Sequence, residues 1–340
     1  MNKDFNFIIK LTTNCPGRCK CCKNRQKNFK YKNENNTIFD INVFEKICAN
    51  IKKMKGTYIC LSGGEPTMIE NIDDYIIIAK KYGLATRINT NGWNITKEKL
   101  EKWLKDGLDQ IVLSVYGLDK ESVIESRGNS FIFNKTLTTT KIIKELKEKY
   151  KFIFIIQTII MKSNYNQLPE LLKFAIENKA NLFWPSYLED AINLPEIRMD
   201  EKSIKVFKEN IIPKMKQIVI DNINNEKIVD NIMKSLNKYY NDGTNLYEYH
   251  KNGENCHWAG KHFTFYPNGT IDPCPGHEYF KSDYQYKINY DKINDFMKLE
   301  NLTKSKEKCY DYCKYCPQGM HHEISFMPIS FNEHNSKEEI

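Results

Sequence analysis

Hydrophobic and polar positions form two alternating patterns along the first 190 residues. Short runs rich in β-branched and aromatic residues predict strands, and the stretches between them have apolar residues at helical spacing. This alternation is typical of βα units on a parallel sheet, and the units are too few for a closed eight-stranded barrel. We therefore predict an α/β fold with an open or partial barrel, with functional groups at the carboxyl ends of its strands. The predicted strands are 5–11, 57–62, 85–90, 110–116, 152–160 and 182–186, and the predicted helices are 43–54, 73–81, 97–105, 134–149 and 167–178.

The second half of the chain has a different pattern. Residues 200–241 are polar with helical spacing, and we interpret them as a bridging segment. Beyond Asn252 aromatic, glycine and cysteine residues dominate, and 263–269 predict a hairpin. We divide the chain into a barrel domain at 1–195, a helical segment at 196–250, a small cysteine-rich module at 251–325 and a charged tail at 326–340.

The composition indicates a globular protein and argues against several other classes. Over 340 residues, 41% are hydrophobic and 12% aromatic, which is enough for a sizeable core. The first apolar run ends at Lys10 and is too short for a signal peptide. Basic residues outnumber acidic ones by 51 to 43, but lysines are spread among acidic residues, so we do not expect nucleic-acid binding. We expect a cytoplasmic protein without a membrane span.

Cysteines are the most informative residues. There are 11, and nine fall in two groups near the two ends of the chain. Such grouping indicates metal or redox chemistry rather than a disulfide framework. The other two, Cys48 and Cys60, have apolar neighbours and are predicted to be small buried hydrophobic residues. The groups are Cys15, Cys19, Cys21 and Cys22, and then Cys256, Cys274, Cys309, Cys313 and Cys316.

The first group lies in a loop that follows the first predicted strand. Thiolates at the spacing of Cys15, Cys19 and Cys22 can hold three corners of an iron–sulfur cube and leave the fourth iron without a protein ligand. An open iron can bind a substrate or cofactor, whereas four cysteines are typical of an electron-transfer centre. A structural zinc loop is the alternative that these residues leave open.

A glycine-rich turn, Leu-Ser-Gly-Gly-Glu-Pro, follows the second predicted strand. Gly63 and Gly64 permit close approach of the backbone to a ligand, and Glu65 offers a carboxylate to an ammonium group. We expect this turn at the same edge of the sheet as the cysteine loop. An Asn-Thr-Asn-Gly segment at 89–92 ends the third strand, and Ser114 lies in the fourth.

Together, the CxxxCxxC spacing, Gly-Gly-Glu-Pro, Asn-Thr-Asn-Gly and a serine in the fourth strand resemble the radical S-adenosylmethionine (SAM) superfamily. The resemblance implies a partial (βα)6 TIM-like barrel and a [4Fe-4S] cluster whose open iron is chelated by the amino and carboxylate groups of SAM. It also implies that an electron from the reduced cluster splits SAM into methionine and a 5′-deoxyadenosyl radical, which abstracts a substrate hydrogen.

The resemblance assigns individual residues to the SAM site. In that family the glycine-rich turn binds the methionine amino group, a polar residue of the fourth strand lies near the ribose or carboxylate, and an arginine pairs with the carboxylate. Residues around the end of the fifth strand contact the ribose and adenine. The matching positions are Gly63, Gly64 and Glu65 in the turn, Asn89 at the end of the third strand, Ser114, Arg127, Gln157 and Met161.

Cys21 departs from the family pattern. The residue before the third cysteine is usually aromatic and packs near adenine, and the backbone of Cys21 still permits that contact. There are two alternatives: Cys21 replaces Cys22 as a ligand, or it acts as a redox thiol. The spacing favours Cys22 as the ligand.

The second cysteine group resembles the auxiliary-cluster modules called SPASM and, in shortened form, Twitch. A full SPASM module has more cysteines and holds two clusters, whereas five cysteines are present here. The resemblance therefore implies one additional [4Fe-4S] cluster, bound by Cys256, Cys274 and two or three of Cys309, Cys313 and Cys316. A zinc site is the alternative, because His257, His262 and His277 lie nearby in sequence.

Three functions are compatible with the sequence. The leading one is a radical SAM oxidoreductase or maturase that modifies a peptide or protein side chain. The second is a dehydrogenase of the Twitch type acting on a small molecule such as an aminosugar or cyclitol. The third is a non-catalytic metal-binding or electron-transfer protein. Candidate substrate-facing residues near strand ends are Tyr116, Trp184, Tyr187, Glu189 and Asp190.

The expected partners follow from the same resemblance. A reductant such as flavodoxin or ferredoxin supplies the electron, and the substrate is a peptide, a protein or a small molecule. Because the cysteine loop begins by Cys15, we expect no leader-peptide-binding domain ahead of it. A separate recognition protein or a leaderless substrate is then required.

Overall fold

The computed structural model describes residues 5–22, 38–188, 194–242, 261–272, 286–287, 292–298, 301 and 329–332. Strands and helices alternate through the first half, as predicted. The strands are β1 (Asn6–Lys10), β2 (Tyr58–Ser62), β3 (Ala85–Thr90), β4 (Gln110–Ser114), β5 (Ile153–Ile160), β6 (Leu182–Tyr187), β7 (His262–Phe265), β8 (Thr270–Asp272), β9 (Tyr286–Lys287) and β10 (Ile329–Ser330). The helices are α1 (Ile41–Lys53), α2 (Ile72–Lys81), α3 (Lys97–Lys105), α4 (Lys120–Arg127), α5 (Phe131–Leu146), α6 (Leu168–Glu177), α7 (Glu201–Val206), α8 (Ile212–Asn222), α9 (Glu226–Asp242) and α10 (Ile293–Phe296).

The chain divides into two compact units. Unit 1 comprises residues 1–16, 22–111 and 250–319, and unit 2 comprises residues 17–21, 112–249 and 320–340. The division passes through β4 and through the cysteine loop, so each unit contains part of both.

Unit 1 is built on a sheet in the order β3-β2-β1-β7-β8-β9. β1 pairs in parallel with β2 and β7, and β2 pairs in parallel with β3. The predicted hairpin is formed by the antiparallel strands β7 and β8, with Gly269 at φ 84° in the turn. One face of this sheet is apolar, and Phe7 stacks on Phe263 across β1 and β7 at a centroid distance of 5.9 Å. Helix α1 covers this unit with buried Phe44 and Ile47.

Unit 2 contains a sheet in the order β10-β6-β5-β4. β5 and β6 are parallel from Ile155 opposite Leu182 to Ile160 opposite Tyr187, and β10 is antiparallel to β6. Every residue of β6 is buried, as expected for a strand covered on both faces. Helices α7 to α9 form the helical pattern predicted for the bridging segment, with a π-helical turn at Phe207–Ile211.

Helix α4 is the main element that the sequence pattern did not predict. Asp119 caps it by accepting a hydrogen bond from the Ser122 N–H at 2.8 Å, and Gly128 ends it in the left-handed conformation. The helix has only eight residues, and its buried positions include Ser122, Ser126 and Arg127. Because these buried residues are polar, the apolar periodicity that reveals a helix is absent.

The two isolated cysteines and the length of the helices complete the description of the fold. Cys48 and Cys60 are both fully buried, as predicted for small core residues, and burial raises the pKa of the Cys48 thiol. Among the described residues, no helix has the length and apolar character needed to cross a membrane.

Candidate cofactor site

The cysteine loop leaves β1 and is partly open to solvent. Cys15, Cys19, Cys21 and Cys22 are of intermediate exposure and form no disulfide. In the part of the chain that the structure describes, no three His, Cys, Asp or Glu side chains are grouped as a metal site. Accessible thiols at this spacing along the sequence are nevertheless suitable donors for an iron–sulfur cluster. The ligand set Cys15, Cys19 and Cys22 therefore stays a prediction.

In unit 1, the glycine-rich turn is hydrogen-bonded directly to the start of the cysteine loop. The N–H of Gly64 donates to the Thr12 carbonyl at 2.6 Å, and the N–H of Glu65 donates to the Asn14 carbonyl at 2.7 Å. Gly63 has φ 147°, and a Cβ on Gly63 or Gly64 would collide with the carbonyl oxygens of Thr12 and Asn14 respectively. The atoms that approach these glycines closely are thus backbone atoms of the protein itself.

The Glu65 carboxylate is buried, with only 1% of the residue exposed. Oε1 accepts hydrogen bonds from the N–H and hydroxyl of Thr67 at 3.1 and 2.7 Å and from the Thr90 hydroxyl at 2.7 Å. Oε2 accepts one from the Asn91 N–H at 2.7 Å. Burial raises the pKa of Glu65, although all four hydrogen bonds oppose that shift. Glu65 therefore joins the turns after β2 and β3, and its predicted contact with an ammonium group remains a prediction.

Asn91, rather than Asn89, is the residue of the Asn-Thr-Asn-Gly segment that reaches the cysteine loop. Its Nδ2 lies 3.5 Å from the Cys15 Sγ, and its Oδ1 accepts a hydrogen bond from the Trp93 N–H at 3.0 Å. The segment itself was noticed in the sequence, but nothing there distinguished its two asparagines. Hydrogen bonds to ligand sulfur are among the contacts that set cluster potentials.

In unit 2, the structure brings Ser114, Tyr116 and Arg127 together. The Arg127 Nη2 donates to the Ser114 carbonyl at 2.7 Å, and the guanidinium lies 4.0 Å from the centre of the Tyr116 ring. Arg127 is only 2% exposed. Its predicted pairing with the SAM carboxylate stays a prediction, and in this structure the side chain is bound to the end of β4.

A second group of unit 2 residues forms an apolar cluster, here called the Met161 cluster. It consists of buried Tyr116, Met161, Leu188 and Ile197, and the partly buried Cys19 and Cys21 pack against it. Cys21 thus contributes to an apolar surface at the position where the resemblance implies an aromatic residue. The roles of Cys21 and Met161 in adenine binding remain predictions.

Asn164 is a structural residue that the sequence did not reveal. It is fully buried in unit 2. Its Nδ2 donates to the carbonyls of Tyr116 and Ile159 at 3.0 and 2.9 Å, and its Oδ1 accepts from the Met161 N–H at 2.8 Å. One amide thereby holds together the chain after β4 and the end of β5. An asparagine in a loop carries no sequence signal for such a role.

The remaining predicted SAM-site and substrate-facing residues that the structure describes lie in unit 2. Gln157 is half-buried on β5, and its Nε2 lies 3.5 Å from the Ser186 hydroxyl. Trp184 packs in an apolar cluster with Val112, Ile155 and Leu182. Tyr187 is also buried. The predictions that fall outside the described residues are Glu189, Asp190, Cys256, His257, Cys274, His277, Cys309, Cys313 and Cys316.

The second face of the unit 1 sheet carries buried polar residues. Arg87 on β3, His262 on β7 and Asp272 on β8 are each at most 3% exposed. The Arg87 guanidinium lies 5.1 Å from the centre of the Tyr58 ring on β2. Because side chains alternate across a strand, these residues lie opposite the apolar face of Phe7. Of this set, the sequence analysis had considered only His262, as a zinc ligand.

A family model for the radical SAM superfamily matches residues 9–175. This range contains the cysteine loop, the glycine-rich turn and the Asn-Thr-Asn-Gly segment, which the structure joins by hydrogen bonds in unit 1. Residues 9–175 belong to the radical SAM superfamily. The sequence resemblance is thereby confirmed.

Solved structures agree with this assignment. The crystal structure of Streptococcus suis SuiB bound to precursor peptide SuiA is 19% identical, with a TM-score of 0.63 over 93% of this chain and 71% of SuiB. SuiB bound to S-adenosylmethionine is 20% identical, with a TM-score of 0.62 over 93% and 72% of the two chains. Native anSMEcpe with bound AdoMet and Kp18Cys peptide is 15% identical, with a TM-score of 0.58 over 92% and 88%. At these identities the likeness establishes the fold, a partial TIM-like barrel.

Proposed function

We propose that this radical SAM protein is an enzyme that binds a [4Fe-4S] cluster through Cys15, Cys19 and Cys22. The observation that carries the proposal is the direct hydrogen bonding of Gly64 and Glu65 to the backbone that leads into the cysteine loop. This contact unites the two most specific motifs of the family in unit 1. Cys15, Cys19 and Cys22 would hold the cluster, which would supply the electron for cleaving SAM into methionine and a 5′-deoxyadenosyl radical able to abstract a substrate hydrogen.

The chain's own residues hold the cysteine loop and shape the space beside it. Asn91 donates toward the Cys15 sulfur, and the buried Glu65 carboxylate fixes the Asn91 backbone. A thiolate that accepts a hydrogen bond is stabilised in its charged form, which is the form that binds iron. The Met161 cluster provides an apolar surface next to Cys21, as an adenine ring requires.

We further propose that the C-terminal cysteines bind one auxiliary [4Fe-4S] cluster, as in SPASM and Twitch modules. The described hairpin β7–β8 lies between Cys256 and Cys274 in sequence. Its strands are antiparallel, so the start of β7 and the end of β8 are adjacent. Cys256 lies six positions before His262, and Cys274 lies two positions after Asp272. Chain length therefore allows both thiols to serve one cluster.

The substrate we propose is a peptide or protein side chain. Support comes from the fold, which is shared with SuiB bound to its precursor peptide and with anSMEcpe bound to a peptide. The modification we propose is an oxidation or a bond formation, for which an auxiliary cluster would accept the electron left on the substrate.

The cluster assignment is tested by replacing Cys15, Cys19 and Cys22 together with Ala. Anaerobically reconstituted wild-type protein is expected to hold about eight irons and to form deoxyadenosine from SAM under dithionite, and the variant to keep about four and form none. Cys48→Ala is the matched control, because this buried thiol belongs to the core. Deoxyadenosine formation by the triple variant would contradict the assignment.

The substrate class is tested with a deuterated cell extract separated by size. Deuterium transferred to deoxyadenosine from the peptide and protein fraction supports the proposal. Transfer only from the small-molecule fraction would contradict it and favour a dehydrogenase acting on an aminosugar or cyclitol.

A further inference from the structure

The last turn of α4 holds the backbone of the cysteine loop within unit 2. The Arg127 carbonyl accepts a hydrogen bond from the Arg18 N–H at 2.9 Å, and the Ser126 carbonyl accepts one from the Lys20 N–H at 3.0 Å. The two donors flank Cys19 in sequence. The loop is therefore fixed on both sides of a predicted iron ligand.

The Arg127 side chain in turn ties this helix end to β4. Its guanidinium donates to the Ser114 carbonyl at 2.7 Å and lies 4.0 Å from the centre of the Tyr116 ring. Only 2% of Arg127 is exposed, so its guanidinium is largely removed from water. Charge-assisted hydrogen bonds and cation–π contacts are stronger in such surroundings than in water. Removing the guanidinium would release the helix end that carries both loop-binding carbonyls.

Gly128 completes the same arrangement. It has φ 64°, and a Cβ at this position would lie 3.0 Å from the Arg18 Cβ and 3.1 Å from the Arg18 carbonyl oxygen. Glycine thus allows α4 to end in close contact with the loop. The contact can be disturbed here without changing the guanidinium.

We propose that Arg127 is a positioning residue for the cluster: it ties the end of α4 to β4 and, through the α4 carbonyls, sets the position of Cys19. This role rests on the proposed function, but the contacts that carry it join protein atoms alone and need neither cluster nor SAM. A partner of the SAM carboxylate would act only after SAM binds. The two roles therefore differ in a measurable way.

Amide hydrogen exchange of the metal-free protein tests the proposal. In Arg127→Met, exchange at the Arg18 and Lys20 amides is expected to accelerate at least about tenfold, because the lost interaction involves a buried charged donor. Gly128→Ala should accelerate exchange at Arg18. Arg127→Lys should give an intermediate result, since lysine keeps the charge but loses the planar fork and most of the stacking. Lys135→Met is the control, because this cation is exposed on α5.

Unchanged exchange at Arg18 and Lys20 in a natively folded Arg127→Met protein would overturn the proposal. Equal acceleration in β5 would also overturn it, because that result reports a general loss of stability. Slower exchange at the Arg18 and Lys20 amides of Arg127→Met would overturn the proposal as well.

The reconstituted protein provides a second readout, taken without SAM. Arg127→Met is expected to lower iron retention against a chelator and to change the electron paramagnetic resonance spectrum of the reduced cluster. An unchanged spectrum with weaker SAM binding would assign Arg127 to the carboxylate instead and overturn the positioning role. If wild-type protein holds no iron, the proposed function fails, while the exchange result in metal-free protein stands by itself.

Discussion

Replacing Glu65 with glutamine tests whether this buried carboxylate joins two turns of unit 1. Glutamine keeps one acceptor oxygen, so the three donors that reach Oε1 from Thr67 and Thr90 can remain bound. The oxygen that faces the Asn91 N–H becomes an amide nitrogen, and two donors then oppose each other. The change therefore removes one charge-assisted hydrogen bond and leaves a buried N–H without an acceptor.

The expected loss can be estimated from these contacts. A hydrogen bond to a charged group contributes about 1.5–3 kcal/mol, and a buried unsatisfied donor costs about 1–3 kcal/mol, with overlap between the two. We expect Glu65→Gln to lower the free energy of unfolding by about 2–4 kcal/mol. Chemical denaturation followed by circular dichroism measures this loss. Glu45→Gln is the control, because Glu45 accepts its hydrogen bonds from Lys81 and Tyr82 at the surface.

The pH dependence gives an independent check of the same residue. The folded-state pKa of Glu65 is raised above its ordinary value of 4.5, with burial as the main cause. The unfolded state therefore releases this proton at a lower pH than the folded state does. The free energy of unfolding of the wild type relative to Glu65→Gln should fall as pH rises from about 4.5 toward the raised pKa. A loss equal to that of Glu45→Gln, or a stability difference that rises over this pH range, would refute the reasoning.

Two further substitutions test neighbouring contacts. Gly64→Ala should cost about 2 kcal/mol or more and weaken iron retention, because its Cβ meets the backbone of Asn14. The comparison for thermal denaturation is Gly83→Ala, whose Cβ meets only the flexible Lys52 side chain and whose left-handed φ of 69° should cost about 1 kcal/mol. Asn164→Asp should cost about 3 kcal/mol or more, since a carboxylate oxygen would face the carbonyls of Tyr116 and Ile159, whereas Asn178→Asp on the half-buried end of α6 should cost less. Equal unfolding midpoints within either pair would contradict these expectations.

The strands of the barrel could be predicted because their signal is local. β3 spans the predicted residues 85–90, and the other five strands of the first half differ from prediction by at most two residues at either end. Continuous apolar runs bounded by turns specify a buried strand without knowledge of its neighbours. Helix α4 lacks such a signal, because Ser126 and Arg127 are buried for the contacts that they make rather than for hydrophobicity.

Contacts between distant segments could not be predicted from the pattern. The parallel pairing of β7 with β1 joins His262 to Asn6 in register, and no feature of either strand specifies the other as its partner. The same holds for Glu65: its motif indicated a binding turn, but its hydrogen bonds to Thr90 and Asn91 depend on how β2 and β3 align. Motifs identify which residues belong to a site, whereas the fold decides which of them touch one another.

These contacts affect how substitutions in the site must be interpreted. Glu65 binds the Asn91 backbone, Asn91 reaches the Cys15 sulfur, and Gly64 holds the loop that begins there. Under the proposed function, a variant at Glu65 can therefore lose deoxyadenosine formation through a displaced cysteine, without any change in a direct contact to SAM. Iron retention in the absence of SAM separates the two cases, because only a displaced cysteine lowers it. If Glu65→Gln keeps its iron and loses only SAM affinity, the carboxylate acts on the cofactor. If the variant loses iron in the absence of SAM, Glu65 acts through its hydrogen bonds within the protein.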